Sequence, residues 1–187
     1  MKDKLKFYIN NELFKDSTDF SGNRGINVAG THTIGALATN QSARRFTGLM
    51  SHVHFIDGTI YTPTAFGQYD ANGVWTIKTS PSVTYGTNGF FILKDGNSVT
   101  DQSGNSNNFT VGGGTLTKTE DSPSNVFTTM NPLDNYYQGS TFSNGNNTVA
   151  TNSSGNDSNP NSAGIGITTG KFYWENKLVS HSGDSLA

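Results

Sequence analysis

The sequence predicts an all-β chain, an antiparallel β-sandwich with short strands and long polar loops, and three observations carry that reading. Apolar and polar residues alternate strictly from Lys4 to Ile9, the period of a half-buried strand. Aromatic and β-branched runs, Phe46 to Ile56 and Gly89 to Lys94, are bounded by clusters of Asn, Asp, Ser and Gly. No 3.6-residue pattern runs long enough to make an extended helix.

Taken in order, Leu5, Phe7 and Ile9 form the buried face of a first strand, and Lys4, Lys6 and Tyr8 the wet one. Asn10-Asn11 can take the left-handed conformations of a two-residue hairpin turn, so Glu12-Leu13-Phe14 reads as the returning strand. Thr31 to Ala38 is a weaker strand, and Phe46 to Ile56 the strongest in the chain. Thr62 as N-cap, Pro63 at the first helical position and Gly67 just past Phe66 predict a single helical turn that lays Phe66 over the open end of a sheet. Asp70 to Gly73 is a polar turn leading to Val74-Trp75. Gly89 to Lys94 and Asn108 to Val111 are further strands. Asn144 to Ser162 is mostly Asn, Ser, Thr and Gly, with too little apolar surface to offset the entropy of ordering it, and reads as a loop or linker. Beyond it Ile165 and Ile167 alternate, and Phe172 to Glu175 begins a last aromatic strand.

Composition removes several function classes. Of 187 residues only 14% are charged, and the net charge is -2, so there is no basic field for phosphates. Arg24, Arg44 and Arg45 do not alternate with aromatics, and nucleic acid is not an expected partner. With no cysteine, a disulfide framework, a thiolate zinc site and a thiol nucleophile are all excluded. Met1 to Lys4 leads directly into an alternating segment, which predicts no signal peptide, and no apolar run is long enough to span a membrane.

Lys6 to Asn10, then Thr33 to Ala36, then Phe46 to Met50 with Val53 to Gly58, resemble the later half of laminin-G-like, concanavalin A-like jelly rolls. Phe66 to Asp70 and Gly73 to Trp75 are similar to a version of that module found in tail and other structural proteins of marine bacteriophages. Asp101 to Phe109 resembles the loop that opens such jelly rolls, and Gly170 to Glu175 the start of a SPRY domain. The resemblance covers roughly positions 4 to 112 and 164 to 178 and implies a partial jelly roll. It divides the chain into the C-terminal part of a laminin-G-like module with a short helical turn (1–84), the start of a second sandwich region (85–143), a polar linker (144–163) and truncated SPRY-like strands (164–187). Early strands of the first module are missing, so the chain is expected to be a fragment with uncovered edges.

The function this implies is a non-catalytic binding or adhesion module of a phage virion, tail-associated and made in the host cytoplasm. Host-surface glycans and other virion proteins are the expected partners, and the full protein is expected to be a homo-oligomer, since many weak rim contacts gain from repetition. A virion scaffold without a ligand is the first alternative and a glycoside hydrolase the second. The hydrolase needs two carboxylates flanking the scissile bond. Glu12, Glu120 and Glu175 are each isolated, with no acidic residue two positions away, so no catalytic residue is assigned.

Two metal readings remain. His52 and His54 share one face of a regular strand, as paired ligands would, but an outward sheet face explains them better, with Leu49, Val53 and Phe55 buried opposite and Gly48 marking a bulge or a close backbone approach. Asp57, at an odd offset from the pair, falls on the other side. Calcium has more oxygen ligands at short spacing, and Asp95, Asp101 and Asn105 are the residues that would hold it. Lacking a bidentate glutamate, these loops read more readily as Asx and glycine turns that satisfy their own backbone. Exposed tyrosines, Trp75 and Trp174 are the aromatics suited to stack on sugar rings.

Overall fold

The computed structural model describes residues 3–20, 27–94, 96, 98–135, 140–150, 161–163 and 168–180. Among the described residues the chain is all-β apart from one short 3-10 turn, and every strand pairing is antiparallel. In chain order the strands are β1 (Asp3–Ile9), β2 (Glu12–Phe20), β3 (Ala36–Leu37), β4 (Asn40–Arg45), β5 (Val53–Phe55), β6 (Gly67–Tyr69), β7 (Trp75–Ile77), β8 (Phe90–Ile92), β9 (Met130–Asn135), β10 (Thr141–Ser143), β11 (Thr148–Ala150) and β12 (Asn161–Ala163). They pair as two-stranded ribbons, β1 with β2, β3 with β4, β5 with β8, β6 with β7, β9 with β12 and β10 with β11. Small antiparallel sheets of this kind are consistent with a partial β-sandwich. Among the described residues no helix is long and apolar enough to cross a membrane.

The first hairpin turns where the sequence places it. Asn10 and Asn11 take φ of 49° and 71°, the left-handed pair a tight hairpin turn demands and asparagine tolerates. The ribbon is bulged, because Phe7 faces Lys15 while Tyr8 faces Leu13, which leaves Phe14 as the extra residue. Its burial differs from expectation. Phe7, Ile9, Leu13 and Phe14 are all exposed, Phe14 at 73%.

The helical turn forms at Pro63–Ala65 with Thr62 as N-cap, although the Thr62 hydroxyl pairs with Thr64 Oγ1 and does not cap the backbone. Asp70 builds the following turn, its Oδ1 accepting the backbone N–H groups of Asn72 and Val74 at 2.8 Å each. Trp75 then pairs across β6 and β7 with Tyr69 and lies edge-on to its ring at 5.0 Å.

Four expectations are corrected. Only Val53–Phe55 of the long Phe46 to Ile56 run forms a strand, because His52 turns into the left-handed region at φ 50° and ends the regular repeat on that side. At Gly48 the close neighbour is a side chain and not a backbone: a Cβ there would lie 2.8 Å from the Phe46 ring. Asn108 to Val111 is irregular and not a strand. Asn144 to Asn147 is a turn whose Asn144, Gly145 and Asn146 have φ of 51°, 66° and 68°, so the stretch read as a linker contains the turn and second strand of the β10–β11 hairpin and the strand β12. Residues 171–180 carry no strand, and Phe172, Tyr173 and Trp174 are exposed. Ile165 and Ile167 lie outside the described residues.

Candidate functional site

The buried centre of the described chain sits at the β5–β8 ribbon. Phe91 and Ile92 are 4% and 2% exposed, and beside them the polar His52 and Asp101 are buried. Register fixes which side chains meet: Val53 faces Ile92, His54 faces Phe91 and Phe55 faces Phe90. Directly opposed residues share a face, so His54 goes with Phe91 while Val53 and Phe55 go with the other side. Both faces are covered, the second partly by Phe109, which meets Phe90 edge-on at 4.7 Å.

This overturns the placement of the histidines on an outward face. His54 stacks on Phe91 with ring centroids 4.0 Å apart, and Phe66 and Tyr85 close around it at 5.3 Å and 6.0 Å. The cover comes from the helical turn and from the loop before β8, so nothing local to β5 announces it. His54 Nδ1 shares a 2.8 Å hydrogen bond with the Tyr85 hydroxyl. His52 is buried against Phe91, its Nδ1 2.6 Å from Ser51 Oγ and its backbone N–H donating to the Leu93 carbonyl. Leu49, expected inside, is instead exposed at 66%.

Electrostatics follow the packing. Burial first, and the neighbouring His52 second, lower the pKa of His54 to about 4, so the ring is neutral at pH 7. Burial, then the Asp101 carboxylate, push Tyr85 up to about 12.

Asp101 organises the other half of the site. Its Oδ1 accepts the N–H groups of Phe91 and Ser103 at 2.8 Å and 2.9 Å, and its Oδ2 accepts the Asn107 N–H and the Ser103 hydroxyl at 2.9 Å and 2.8 Å. Burial alone would raise its pKa, but these donors outweigh burial and hold it below the ordinary carboxylate value. The Asn105 side chain donates to the Gly86 and Gly89 carbonyls, and the Asn107 side chain to those of Thr87 and Gly89. Asn108 Oδ1 accepts the Asp101 N–H at 2.9 Å. The loop from Asp101 to Phe109 is thus a clasp that grips residues 86–91 by their backbone.

The gripped loop needs its glycines. Gly86 has φ 71°, and a Cβ there would strike the Asp57 carbonyl; a Cβ on Gly89 would strike the Tyr85 carbonyl. Asp57 braces the same loop, accepting the Asn88 N–H at 3.1 Å and the Asn27 side-chain amide at 2.8 Å.

Of the calcium residues, Asp95 lies outside the described residues. Asp101 and Asn105 do come together, but each Asp101 oxygen already accepts two donors and Asn105 turns its NH2 group to carbonyls. A calcium ion takes six to eight oxygen ligands, and here the Asp101 and Asn105 side chains are engaged with the protein's own donors and carbonyls. Among the described residues no three His, Asp or Glu side chains gather as a metal group. Trp75 lies across Gly67, while Tyr69 beside it and the more distant Tyr173 and Trp174 are exposed.

Tyr85 and Phe91 were not singled out from the sequence as site residues. The available signal was the pair of glycines flanking Thr87-Asn88, a spacing that marks close backbone approach just before an aromatic strand. Compared with models of protein families, with curated proteins and with solved structures, the chain matches none.

Proposed function

We propose that the chain is a non-catalytic binding module of a virion, joining host-surface glycans through aromatic and amide side chains at its rim. The observation that carries this reading is the internal engagement of the Asp101, Asn105, Asn107 and His54 side chains, which supports a scaffolding role for them. Asp101 holds four protein donors, Asn105 and Asn107 hold loop carbonyls, and His54 is a neutral ring packed among aromatics. A carboxylate so occupied is poorly placed as a general acid, base or nucleophile, which needs an open position toward substrate. The exposed Tyr69 and Trp174 remain for stacking against sugar rings. The placement in a phage tail rests on the resemblance of Phe66 to Asp70 and Gly73 to Trp75 to such proteins.

A scaffold without a ligand is favoured by a different observation, the apolar residues bared on β1 and β2. Binding of the chain to bacterial surface polysaccharide, competed by free sugars and lost in Tyr69→Ala with Trp174→Ala, is the expected result. Retention in virions with no polysaccharide binding would favour the scaffold, and release of new reducing ends would overturn the non-catalytic reading.

A further inference from the structure

His54 stands where four segments meet. It lies in β5, stacks on Phe91 of β8, faces Phe66 of the helical turn and bonds Tyr85 of the preceding loop. Aromatic faces line the imidazole, and the titratable groups around it can be named by element. His52 precedes it on its own segment, and Tyr85 holds its Nδ1. Tyr61, ahead of the helical turn, meets Phe66 edge-on at 6.2 Å. Lys94, beyond β8, places its Nζ 6.0 Å from the Phe91 centroid. Asp101 is held by its own four donors and acts on Tyr85, while Asp57 faces the Asn88 amide and Asn27. A proton added to His54 therefore meets a second imidazole, and the Asp101 and Asp57 carboxylates are engaged elsewhere.

We propose that His54 is an acid-sensitive latch: neutral, it closes the joint between β5, β8, the Phe66 turn and the Tyr85 loop, and protonated it releases them. The geometry supplies both states. A neutral imidazole can accept the Tyr85 hydroxyl proton at Nδ1, whereas the cation has N–H on both nitrogens and must donate there. The cation also keeps its charge in a half-buried aromatic site, where the opened chain would hydrate it.

The sign follows from linkage. The closed ring titrates at about 4 and the opened one near 6.5, so acid favours the open form. Closure is at full strength above pH 6.5, weakens as pH falls and stops weakening once the closed ring itself titrates. The gap of about 2.5 pH units sets a ceiling of about 300-fold on the opening equilibrium. Solvent at a half-buried ring screens part of this, leaving a change of about ten- to a hundredfold.

Hydrogen exchange on the full chain tests the proposal, with protection at the β5 and β8 amides corrected for intrinsic rates at pH 7.0 and pH 4.5. The expected result is a fall of about ten- to a hundredfold in the native chain and little change in His54→Phe. Equal protection at both pH values, or a parallel fall in His54→Phe, would overturn it. Should His54→Phe not fold, NMR titration of the His54 Cε1–H in the native chain decides: a midpoint well below 6 supports the latch, and one near 6.5 contradicts it. If polysaccharide binding is absent while the exchange change persists, the latch stands without the binding function.

Discussion

The hairpin at residues 3–20 and the knot at residues 51–109 use similar residues to opposite effect. The hairpin has the longest strands described, of 7 and 9 residues, with an asparagine turn and an Lys6–Asp16 ion pair at 3.8 Å. Yet Phe7, Ile9, Leu13 and Phe14 are exposed. The knot is tied by strands of three residues each, and it holds the two buried hydrophobic side chains among the described residues, Phe91 and Ile92. An isolated two-stranded ribbon is marginal in water, and an exposed ion pair adds only about 0 to 1 kcal/mol. Burial here follows side chains that reach across the sequence, such as Asp101 to Phe91, His54 to Tyr85 and Phe109 to Phe90, more than strand length.

Substitutions grade that difference. Phe91→Ala removes the ring on which His52, His54 and Tyr85 converge, and should cost about 3 to 5 kcal/mol, read as a shift in urea midpoint by fluorescence. Asp101→Ala strands the amides of Phe91, Ser103 and Asn107 and should cost about 3 kcal/mol. Its pH signature is separate. Because the Asp101 pKa is lowered, the carboxylate contributes stability above the ordinary carboxylate value that is lost as pH falls through the folded pKa. Asp101→Asn should therefore flatten the melting temperature below about pH 4 and leave the His54 window above it unchanged.

Tyr85→Phe removes one hydrogen bond, an effect of about 1 kcal/mol at pH 7. Tyr85 has its pKa raised from 10.0 to about 12, so its contribution is whole below pH 10 and falls away as pH rises toward 12. The variant should lose that alkaline dependence in a melting series. Calcium or chelator should leave the melting temperature unchanged, and a rise with calcium would argue for a site involving residues other than Asp101. Phe14→Ser, on the bulge, should change global stability by less than about 0.5 kcal/mol.

Local chemistry was what the sequence made legible. Asn10-Asn11, Asp70 to Gly73 and Thr62-Pro63 each carry their turn in two to four adjacent residues, and each turn stands where it was expected. The face of His54 was not legible, because period two says which residues share a side but not which side is covered, and the cover comes from Phe66 and Tyr85, 12 and 31 positions on. Asp101 was seen as an oxygen ligand because its partner, the Phe91 amide, is ten residues away and backbone donors leave no mark in sequence. Composition also misled at Asn144 to Thr148, where the asparagines that suggested a loop supply the left-handed turn of a hairpin.

The knot, and not the longer hairpin, is the stable unit. Hydrogen exchange on the intact chain at pH 7 tests it by comparing amides of Val53–Phe55 and Phe90–Ile92 with those of Leu5 to Ile9 and Glu12 to Ser17. The knot amides should exchange only through global opening and at least about a hundredfold more slowly than the hairpin amides. Equal protection in the two regions, or slower exchange in the hairpin, would contradict it.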